Sequence, residues 1–555
     1  RKRLKKVSRK KRVLFVTESN KLASGFGTYA KQVLERLHAT GKYELAEFAS
    51  YGIPDHGKDV GWTFFANSPV SDDDRPAYDA QPANHFGYWR FDKVVLSFKP
   101  DIVLTYRDPW MDNWIADSPL RDFFHWVWMP TVDSAPQKRE WLETFADCDA
   151  LFTYSEFGTR TLEAQSRGTL NVIGCASPAL DPDIYTPVVS KGKHKEEFGI
   201  PSDSYVVGTV MRNQKRKLFI ELMKSFRIFL DNAPAEIADK SYLYLHTSYP
   251  EKQGWNIAEG IIDNELASKV LVTYVCRHCH DYFASSFQDA LTRCPKCRNV
   301  SCVLPSVAAG LEIPDLVKVY NLMDMYVQYA ICEGFGMPQV EAASCGVPVA
   351  ATDYSAMEDV VRFTNGYPIK VKNMYRELET DAERAYPDNE HLAEILLEHS
   401  SLSPEERGKV SMLCRNGAMA RYNWNDTANI WADYIDTYTP VGLQGKWDAP
   451  PRLFRIPTEK PNIPSNEAFV RWAMVNVADT PEKAYSYQTE NFIKSLNLGA
   501  VVDGGSLEPF DRDKFWAILQ NKAKNKLICE QIRCGMSMLP DEPFLNTAYQ
   551  GKEGQ

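Results

Sequence analysis

The sequence predicts an α/β protein built from two doubly wound units that follow one another along the chain. Short, continuously apolar runs alternate with stretches of helical periodicity, which is typical of parallel strands covered by helices on both faces. The pattern begins at residues 12–17 and restarts near Tyr205, after a connection at about residues 186–201. Two such units facing across a cleft would bring their ligand-binding carboxyl strand ends together.

The apolar periodicity places a series of strands and helices in each unit. Predicted strands of the first unit are 12–17, 44–49, 102–106, 125–129, 150–153 and 170–173. Predicted strands of the second unit are 206–211, 242–246, 269–274, 325–328 and 348–352. The helices read from the same pattern are 28–37, 218–230, 316–321, 339–345 and 422–438.

The predicted domain organisation follows from these elements and from composition shifts along the chain. Nine basic residues in the first twelve mark a leader at 1–11, either a solvated segment or an arm that contacts phosphate or membrane. Proline density then interrupts the chain after the second unit. The predicted segments are the leader (1–11), two Rossmann-like domains (12–195 and 196–440), an insertion (275–300), a proline-rich linker (441–464) and a mainly helical appendage (465–555).

Composition excludes some classes of partner and compartment. The formal net charge of -9 gives no general attraction to nucleic acid or anionic lipid, so such a partner would need a local basic patch. No apolar run approaches the roughly 18 residues of a membrane span. Of the twelve cysteines, four form one regular set and the other eight are scattered, which suits reduced thiols and predicts a cytoplasmic protein. The sequence does not indicate an oligomeric state.

One regular set of cysteines predicts a zinc ribbon. Cys276-x2-Cys279 and Cys294-x2-Cys297 are separated by fourteen residues, and four thiolates at this spacing reach one tetrahedral Zn²⁺. A site closed by four thiolates leaves no open position, so the zinc is expected to be structural. The ribbon is mildly basic, with Arg277, Arg293, Lys296 and Arg298. It is either a loop that the metal cross-links or a surface that contacts nucleic acid or protein.

The segment CEGFGMPQVEAASCGVPVAATD is the richest in chemistry. Glu333 precedes the turn formed by Gly334, Phe335 and Gly336, and Glu341 follows on the next predicted helix. Glycines permit close backbone approach to a ligand, and the helix start offers free N–H groups to an anion. The segment therefore combines donors for phosphate with two carboxylates that can accept hydrogen bonds from hydroxyl groups.

Two further loops are candidates for anion binding. The stretch VGTVMRNQKRK is a strand that runs into a basic loop, and Arg212 and Lys217 at this strand end would stabilise a diphosphate leaving group. The first strand is followed by a Ser-Gly-Phe-Gly turn, in which Gly25 and Gly27 form a candidate phosphate loop. Gly27 is the favoured residue for a backbone contact.

Together these motifs resemble the retaining family-4 glycosyltransferases, which have the GT-B fold of two facing Rossmann-like domains. The resemblance covers about residues 12–438 without the insertion. It implies that the N-terminal domain binds an acceptor and the C-terminal domain a nucleotide-diphosphate sugar. In that family the first glutamate faces the donor sugar and the second binds the ribose, which implies these roles for Glu333 and Glu341. It also implies that Arg212 and Lys217 neutralise the leaving diphosphate and that no catalytic metal is needed.

The chain departs from this family at the residue that faces the acceptor. Many members have a histidine after a central strand of the N-terminal domain, whereas here Asp133 takes roughly that place and Asp108 follows the preceding strand. Either carboxylate is a candidate to orient or deprotonate an acceptor hydroxyl, or to act as a structural cap.

The predicted function is transfer of a hexosyl or pentosyl group, with retention of configuration, from a nucleotide-diphosphate sugar to an acceptor hydroxyl. Two kinds of acceptor remain open: a glycan or small molecule, and a modified nucleic-acid base, which the ribbon and the basic leader would suit. The alternative is a non-catalytic scaffold that binds a sugar nucleotide and recruits nucleic acid or protein through the ribbon.

Overall fold

The computed structural model describes residues 9–306, 309–437, 443–453, 455–497, 501–503 and 506–535. Residues 1–8 of the predicted leader therefore lie outside the described part of the chain. Arg9 forms an ion pair with Asp101 at 2.8 Å, so the end of the leader lies against the first sheet. Among the helices that are described, none combines the length and apolarity needed to cross a membrane.

The first half of the chain forms a sheet of seven parallel strands in the order β3-β2-β1-β4-β5-β6-β7. The strands are β1 (Arg12–Glu18), β2 (Glu44–Ser50), β3 (Thr63–Ala66), β4 (Ile102–Thr105), β5 (His125–Trp128), β6 (Ala150–Thr153) and β7 (Val172–Cys175). The direction of winding changes between β1 and β4, which is the place where doubly wound sheets bind ligands.

The second half forms a sheet of nine strands whose central strands are parallel. Its order is β12-β13-β10-β9-β8-β14-β15-β16, and β11 also pairs with β10. Here the winding direction changes between β8 and β14. The strands are β8 (Tyr205–Val210), β9 (Ser241–His246), β10 (Val270–Cys276), β11 (Tyr282–Ser286), β12 (Leu291–Arg293), β13 (Val300–Val303), β14 (Met325–Gln328), β15 (Val349–Thr352) and β16 (Tyr367–Ile369).

Two antiparallel hairpins stand apart from these sheets. They are β17–β18 (Val371–Glu377 and Ala382–Pro387) and β19–β20 (Val501–Asp503 and Ser506–Glu508).

Helices cover both sheets and form most of the C-terminal region. In the N-terminal half they are α1 (Gly25–Ala39), α2 (Arg75–Asp79), α3 (Pro82–His85), α4 (Phe91–Phe98), α5 (Pro109–Asp112), α6 (Arg139–Phe145) and α7 (Glu156–Ser166). The second half has α8 (Lys191–Glu197), α9 (Phe219–Asn232), α10 (Ala235–Ala238), α11 (Ile257–Asp263), α12 (Ile313–Tyr320), α13 (Met337–Ser344), α14 (Ala356–Phe363), α15 (Asn389–Ser401), α16 (Pro404–Arg421) and α17 (Trp424–Thr437). The C-terminal region has α18 (Leu443–Lys446), α19 (Asn466–Asn476), α20 (Tyr487–Asn497) and α21 (Arg512–Arg533).

The first strand and helix show how the apolar pattern becomes structure. The central residues of β1 are fully buried, because helices cover both faces of the sheet and each side chain packs against one of them. The Ser24 hydroxyl then caps α1 by accepting a hydrogen bond from the Gly27 N–H at 3.0 Å. The helix turns Tyr29 and Val33 toward the sheet. Parallel strands with helical crossovers, as the sequence predicts, are present in both halves.

The helix α17 returns from the second half of the chain to the first. Trp431 is fully buried, and its indole N–H donates a hydrogen bond to the Tyr29 hydroxyl at 2.7 Å. The Lys11 ammonium group contacts the Ile435 carbonyl at the end of the same helix. By its packing α17 thus joins the N-terminal sheet, although the predicted boundary at residue 440 groups it with the C-terminal domain.

The linker and the C-terminal appendage both pack against the N-terminal half. The Trp447 indole donates to the Pro100 carbonyl at 3.0 Å, and its ring lies 4.9 Å from that of Phe123. Cys529 of α21 is buried in the same apolar cluster. Arg533 of α21 connects the linker to α21. It forms an ion pair with buried Glu530. It also donates hydrogen bonds to four main-chain carbonyls of the linker, those of Lys446, Trp447, Ala449 and Pro450.

We expect Arg533→Met to detach the linker from α21. The change removes the closer of the two arginines that pair with buried Glu530 and leaves Arg452 at 3.5 Å, so we expect a loss of stability smaller than the about 3–5 kcal/mol of a buried ion pair that is broken completely. Hydrogen exchange should therefore quicken over residues 443–453 and along α21. The control is Lys460→Met, which breaks the exposed contact with Asp513. Equal exchange in the two variants would contradict this role of Arg533.

Candidate active site and metal centre

Two loops meet where the winding of the second sheet changes direction. The loop after β8 and the loop after β14 lie side by side, and main-chain hydrogen bonds join them. The Leu218 N–H donates to the Tyr329 carbonyl, and the Ile331 N–H donates to the Arg216 carbonyl, both at 3.0 Å. This pairing places the basic loop predicted from the sequence directly against the segment that carries Glu333.

Lys217 and Glu333 are in direct contact at this junction, and both are almost fully buried. Gln328 donates to the same Glu333 carboxylate oxygen at 2.7 Å. Burial and the neighbouring charge of Arg216 lower the pKa of Lys217, whereas contact with a carboxylate favours its charged form. The structure thus brings together two of the predicted site residues.

Arg212 lies in the same loop but differs from Lys217 in its exposure. Its side chain is 56% exposed and reaches Glu251 at 3.3 Å. A hydrogen bond from Ser248, and after it the contact with Arg212, lower the pKa of Glu251. An exposed pair of this kind contributes little stability. Arg212 is therefore available to an anion that approaches from solvent, while Lys217 is held inside.

On α13, Glu341 is held by two tyrosines. The Tyr185 and Tyr320 hydroxyls donate to its two carboxylate oxygens at 3.0 and 2.6 Å. Burial raises the pKa of Glu341, and these two hydrogen bonds oppose the rise. Each oxygen keeps a second lone pair for another donor. The carboxylate is thus fixed in place and can still accept hydroxyl groups of a ligand.

A chain of hydrogen bonds runs from Glu333 through Gln328 to Tyr326, which also senses the charge of Glu341. Gln328, which donates to Glu333, accepts from the Tyr326 hydroxyl at 2.6 Å. Burial raises the pKa of Tyr326, and the negative charge of Glu341 adds to the rise. Glu333 and Glu341 therefore belong to one electrostatic environment.

Glycines allow the two halves to approach closely at the site. A Cβ atom on Gly334 would lie 2.4 Å from the Thr131 Cγ2 atom, so the loop after β14 touches the loop after β5. A Cβ atom on Gly25 would lie 4.0 Å from the Met337 sulfur, at the start of α13. Gly336 has φ 84°, the left-handed backbone that glycine tolerates best. Three of the predicted glycines thus stand at contacts or turns of the site.

Gly27 and Phe335 have mainly local packing roles in the structure. A Cβ atom on Gly27 would lie 2.5 Å from the Leu22 carbonyl oxygen, so glycine is needed for this tight turn. Its N–H is used by the Ser24 cap, and a contact of this N–H with phosphate stays a prediction. Phe335 is buried, with its ring 5.5 Å from that of Tyr422.

Asp133 and Asp108 differ in their partners. Asp133 accepts from Arg384 at 3.1 Å and from Ser134 at 2.8 Å, so an ion pair already uses its charge. For Asp108, burial raises the pKa and the charge of Asp133 adds to the rise, while hydrogen bonds from Thr131 and Trp110 oppose it. Of the two candidates, Asp108 is the carboxylate better suited to accept a proton or a hydroxyl hydrogen bond.

Sequence reasoning does not find several residues of the site. Arg384 comes from the β17–β18 hairpin and bridges Asp133 and Glu377, at 3.1 and 2.7 Å. Ser355 accepts from the Glu333 N–H at 2.9 Å and has φ 55°, a strained backbone of the kind that occurs at binding sites. Gln328 could have been found from the sequence, because a polar residue at the end of a buried strand indicates a binding site at that strand end.

The four predicted cysteine ligands form a cluster. The sulfur atoms of Cys276, Cys279, Cys294 and Cys297 all lie within 4.8 Å of one another. The distances Cys276–Cys297 and Cys279–Cys294 are 3.6 and 3.7 Å, close to the roughly 3.8 Å between thiolates bound to Zn²⁺ at about 2.3 Å. The residues present thus fit a tetrahedral zinc ion, which would supply cross-linking and no open coordination position.

The two cysteine knuckles repeat one backbone geometry. The Cys276 N–H donates to the Asp281 carbonyl and the Cys294 N–H to the Asn299 carbonyl, both at 2.8 Å. The residue after the second cysteine of each knuckle has a positive φ, 59° at His280 and 65° at Arg298. Both loops therefore direct their sulfur atoms to one point, as a shared metal ion requires.

The comparisons agree with this geometry. Residues 306–395 match the family model described as glycosyl transferases group 1, a segment that contains Glu333 and Glu341. No curated protein sequence matches the chain.

Solved structures share the fold at low sequence identity. Sucrose-phosphate synthase from Thermosynechococcus elongatus aligns with TM-score 0.52 and 15% identity, covering 77% of this chain and 98% of the synthase. A glycosyltransferase from Rickettsia africae aligns with TM-score 0.53 and 13% identity over 77% and 98% of the two chains. Anabaena Alr3699/HepE in complex with UDP-glucose aligns with TM-score 0.53 and 12% identity, covering 77% of this chain and 100% of the Anabaena chain. Together with the family match, this shared fold supports a glycosyltransferase of the GT-B fold.

We expect one zinc ion per chain, measured by elemental analysis of protein purified without chelator. Cys276→Ser with Cys297→Ser should remove the metal and quicken hydrogen exchange over residues 276–303, because the short ribbon then lacks its cross-link. The matched control is Cys302→Ala, a buried cysteine of the same ribbon outside the cluster. A chain that holds no zinc, or a control that loses it, would contradict the ligand assignment.

Proposed function

We propose that the chain is a retaining glycosyltransferase that moves a hexosyl or pentosyl group from a nucleoside diphosphate sugar to an acceptor hydroxyl. The observation that carries the proposal is the buried contact of Lys217 with Glu333 at the switch point of the second sheet. Among the neighbours, the Anabaena protein is described in complex with UDP and glucose, which supports a nucleotide sugar as donor here.

The proposed donor pose follows from the charges. The diphosphate lies against exposed Arg212 and exchanges the Lys217–Glu333 contact for a Lys217–phosphate contact. Glu333 is then free to accept a hydroxyl of the donor sugar. Glu341, held by its two tyrosines, accepts ribose hydroxyls through the remaining lone pairs of its oxygens.

The proposed chemical step needs no protein nucleophile. The bond between the anomeric carbon and the diphosphate oxygen breaks, and the acceptor oxygen bonds to that carbon on the same face. The acceptor proton passes to the leaving phosphate oxygen, and the positive charges of Lys217 and Arg212 stabilise the diphosphate. Asp108 orients the acceptor hydroxyl, and Arg384 holds Asp133 in place beside it.

We expect Lys217→Ala to reduce kcat/KM by about 10²–10³-fold, since one fixed group that stabilises developing charge contributes this much. Glu333→Gln should reduce it as well, because the amide lacks the charge that positions Lys217. The assay follows nucleotide release from a panel of UDP-, GDP-, ADP- and dTDP-sugars, and NMR of the product's anomeric proton reports the configuration.

The control variant is Lys224→Ala, which removes an exposed lysine on α9 that pairs with Glu221. Undiminished turnover in both Lys217→Ala and Glu333→Gln would refute the site. Tight sugar-nucleotide binding without any turnover would instead favour the scaffold function, and an inverted product would refute retention alone.

A further inference from the structure

An exposed aromatic patch stands at the ligand-binding edge of the first sheet. Tyr51 follows β2 and Trp110 follows β4, the two strands that flank β1. Their side chains remain 41% and 50% exposed. Both rings stand edge-on to buried Phe86, at 6.0 Å for Tyr51 and 5.0 Å for Trp110. We call Tyr51, Phe86 and Trp110 the aromatic platform.

The platform is continuous with the proposed active site. Trp110 follows Asp108 by two residues in the chain, and both Trp110 and Thr131 lie near enough to lower the pKa of the Asp108 carboxyl group. Thr131 in turn touches Gly334, next to Glu333. A ligand ring on Trp110 would therefore lie near Asp108 and near the loop that carries Gly334 and Glu333. Aromatic side chains that stay exposed together at such an edge are typical of a binding surface.

The charges around the platform indicate the chemistry of its ligand. Asp108 borders the platform on one side, where the positive charge of Arg216 partly offsets its negative charge. On the other side, burial raises the pKa of Tyr51 and the negative charge of Glu18 adds to the rise. Arg107 lies under the Phe86 ring, but it is fully buried and paired with Asp112. Carboxylates at the border repel phosphodiesters, whereas they accept hydrogen bonds from hydroxyl groups.

We propose, on the basis of the proposed glycosyl transfer, that the acceptor is a saccharide whose ring stacks on Trp110 and Tyr51. The C–H face of a pyranose is slightly positive and suits the negative face of an aromatic ring. Its hydroxyls suit the Asp108 and Glu18 carboxylates. One hydroxyl beside Asp108 then faces the anomeric carbon of the donor held at Glu333, and it is the nucleophile of the transfer.

The first experiment measures binding to an array of immobilised oligosaccharides, with single-stranded DNA and RNA oligonucleotides on the same array. We expect the wild-type chain to bind saccharides, and Trp110→Ala and Tyr51→Ala to lose that binding. Trp110→Phe should keep most of it, because the ring face remains. The control is Tyr485→Ala, which removes an exposed tyrosine of the appendage and should bind like the wild type.

The second experiment uses the saccharides found on the array as acceptors. We expect Trp110→Ala to raise the acceptor KM by about ten-fold, in line with the interaction energy of one aromatic face. Oligonucleotide binding that depends on Trp110, or saccharide binding that neither variant changes, would overturn the proposal. So would the absence of any saccharide ligand.

The two proposals fail separately. Release of nucleotide from a sugar nucleotide in plain buffer tests glycosyl transfer and does not involve the platform. If that release occurs while the saccharide array stays blank, the acceptor proposal is wrong and the proposed enzyme stands. If the wild-type chain releases no nucleotide with any donor and array acceptor, the proposed function itself is wrong.

Discussion

The site depends on one buried contact between opposite charges, that of Lys217 with Glu333. Charges are expensive to bury unless they are paired, so two loops from different strands must be held in register for the contact to exist. The main-chain bonds between the loops after β8 and β14 provide that register, and they follow from the neighbouring positions of these strands in the sheet. In the proposed donor complex an anion would take over Lys217, and a hydroxyl group of the sugar would donate to Glu333, so that both buried charges would keep a partner.

Further contacts near the Lys217–Glu333 pair join the two halves of the chain. The hairpin β17–β18 reaches the loop after β5 through the Glu383 N–H, which donates to the Ala135 carbonyl at 3.1 Å, and through the Arg384–Asp133 ion pair. The Ala385 N–H donates to the Ile331 carbonyl, two residues before Glu333. One hairpin thus contacts both the loop after β5 and the loop after β14, and it explains why the charge of Asp133 is already paired.

The sequence predicts the central strands better than the edges and the long-range partners. Strands β6 and β14 have the predicted bounds because their residues are buried on both faces. Edge strands lack that two-sided burial, so β3 is missing from the predicted strands and β7 begins two residues later than predicted. Motifs predict that Lys217 and Glu333 belong to one site, although not that they contact each other. The Arg384–Asp133 pair joins residues 251 apart, and no local pattern marks it.

The small extension formed by β10 to β13 is a segment that a bound metal ion would stabilise. Strand β10 pairs with β9 over its first residues, then runs on to Cys276, where it pairs with β13 instead. An extension of this size buries too little apolar surface to hold its own strands, and small domains of this kind rely on metals or disulfides. Because β10 ends at the carboxyl edge of the sheet, the extension that carries the four cysteines projects from the same edge as the Lys217 loop. A zinc ion bound there would make this extension rigid beside that loop and would leave no open coordination position for chemistry.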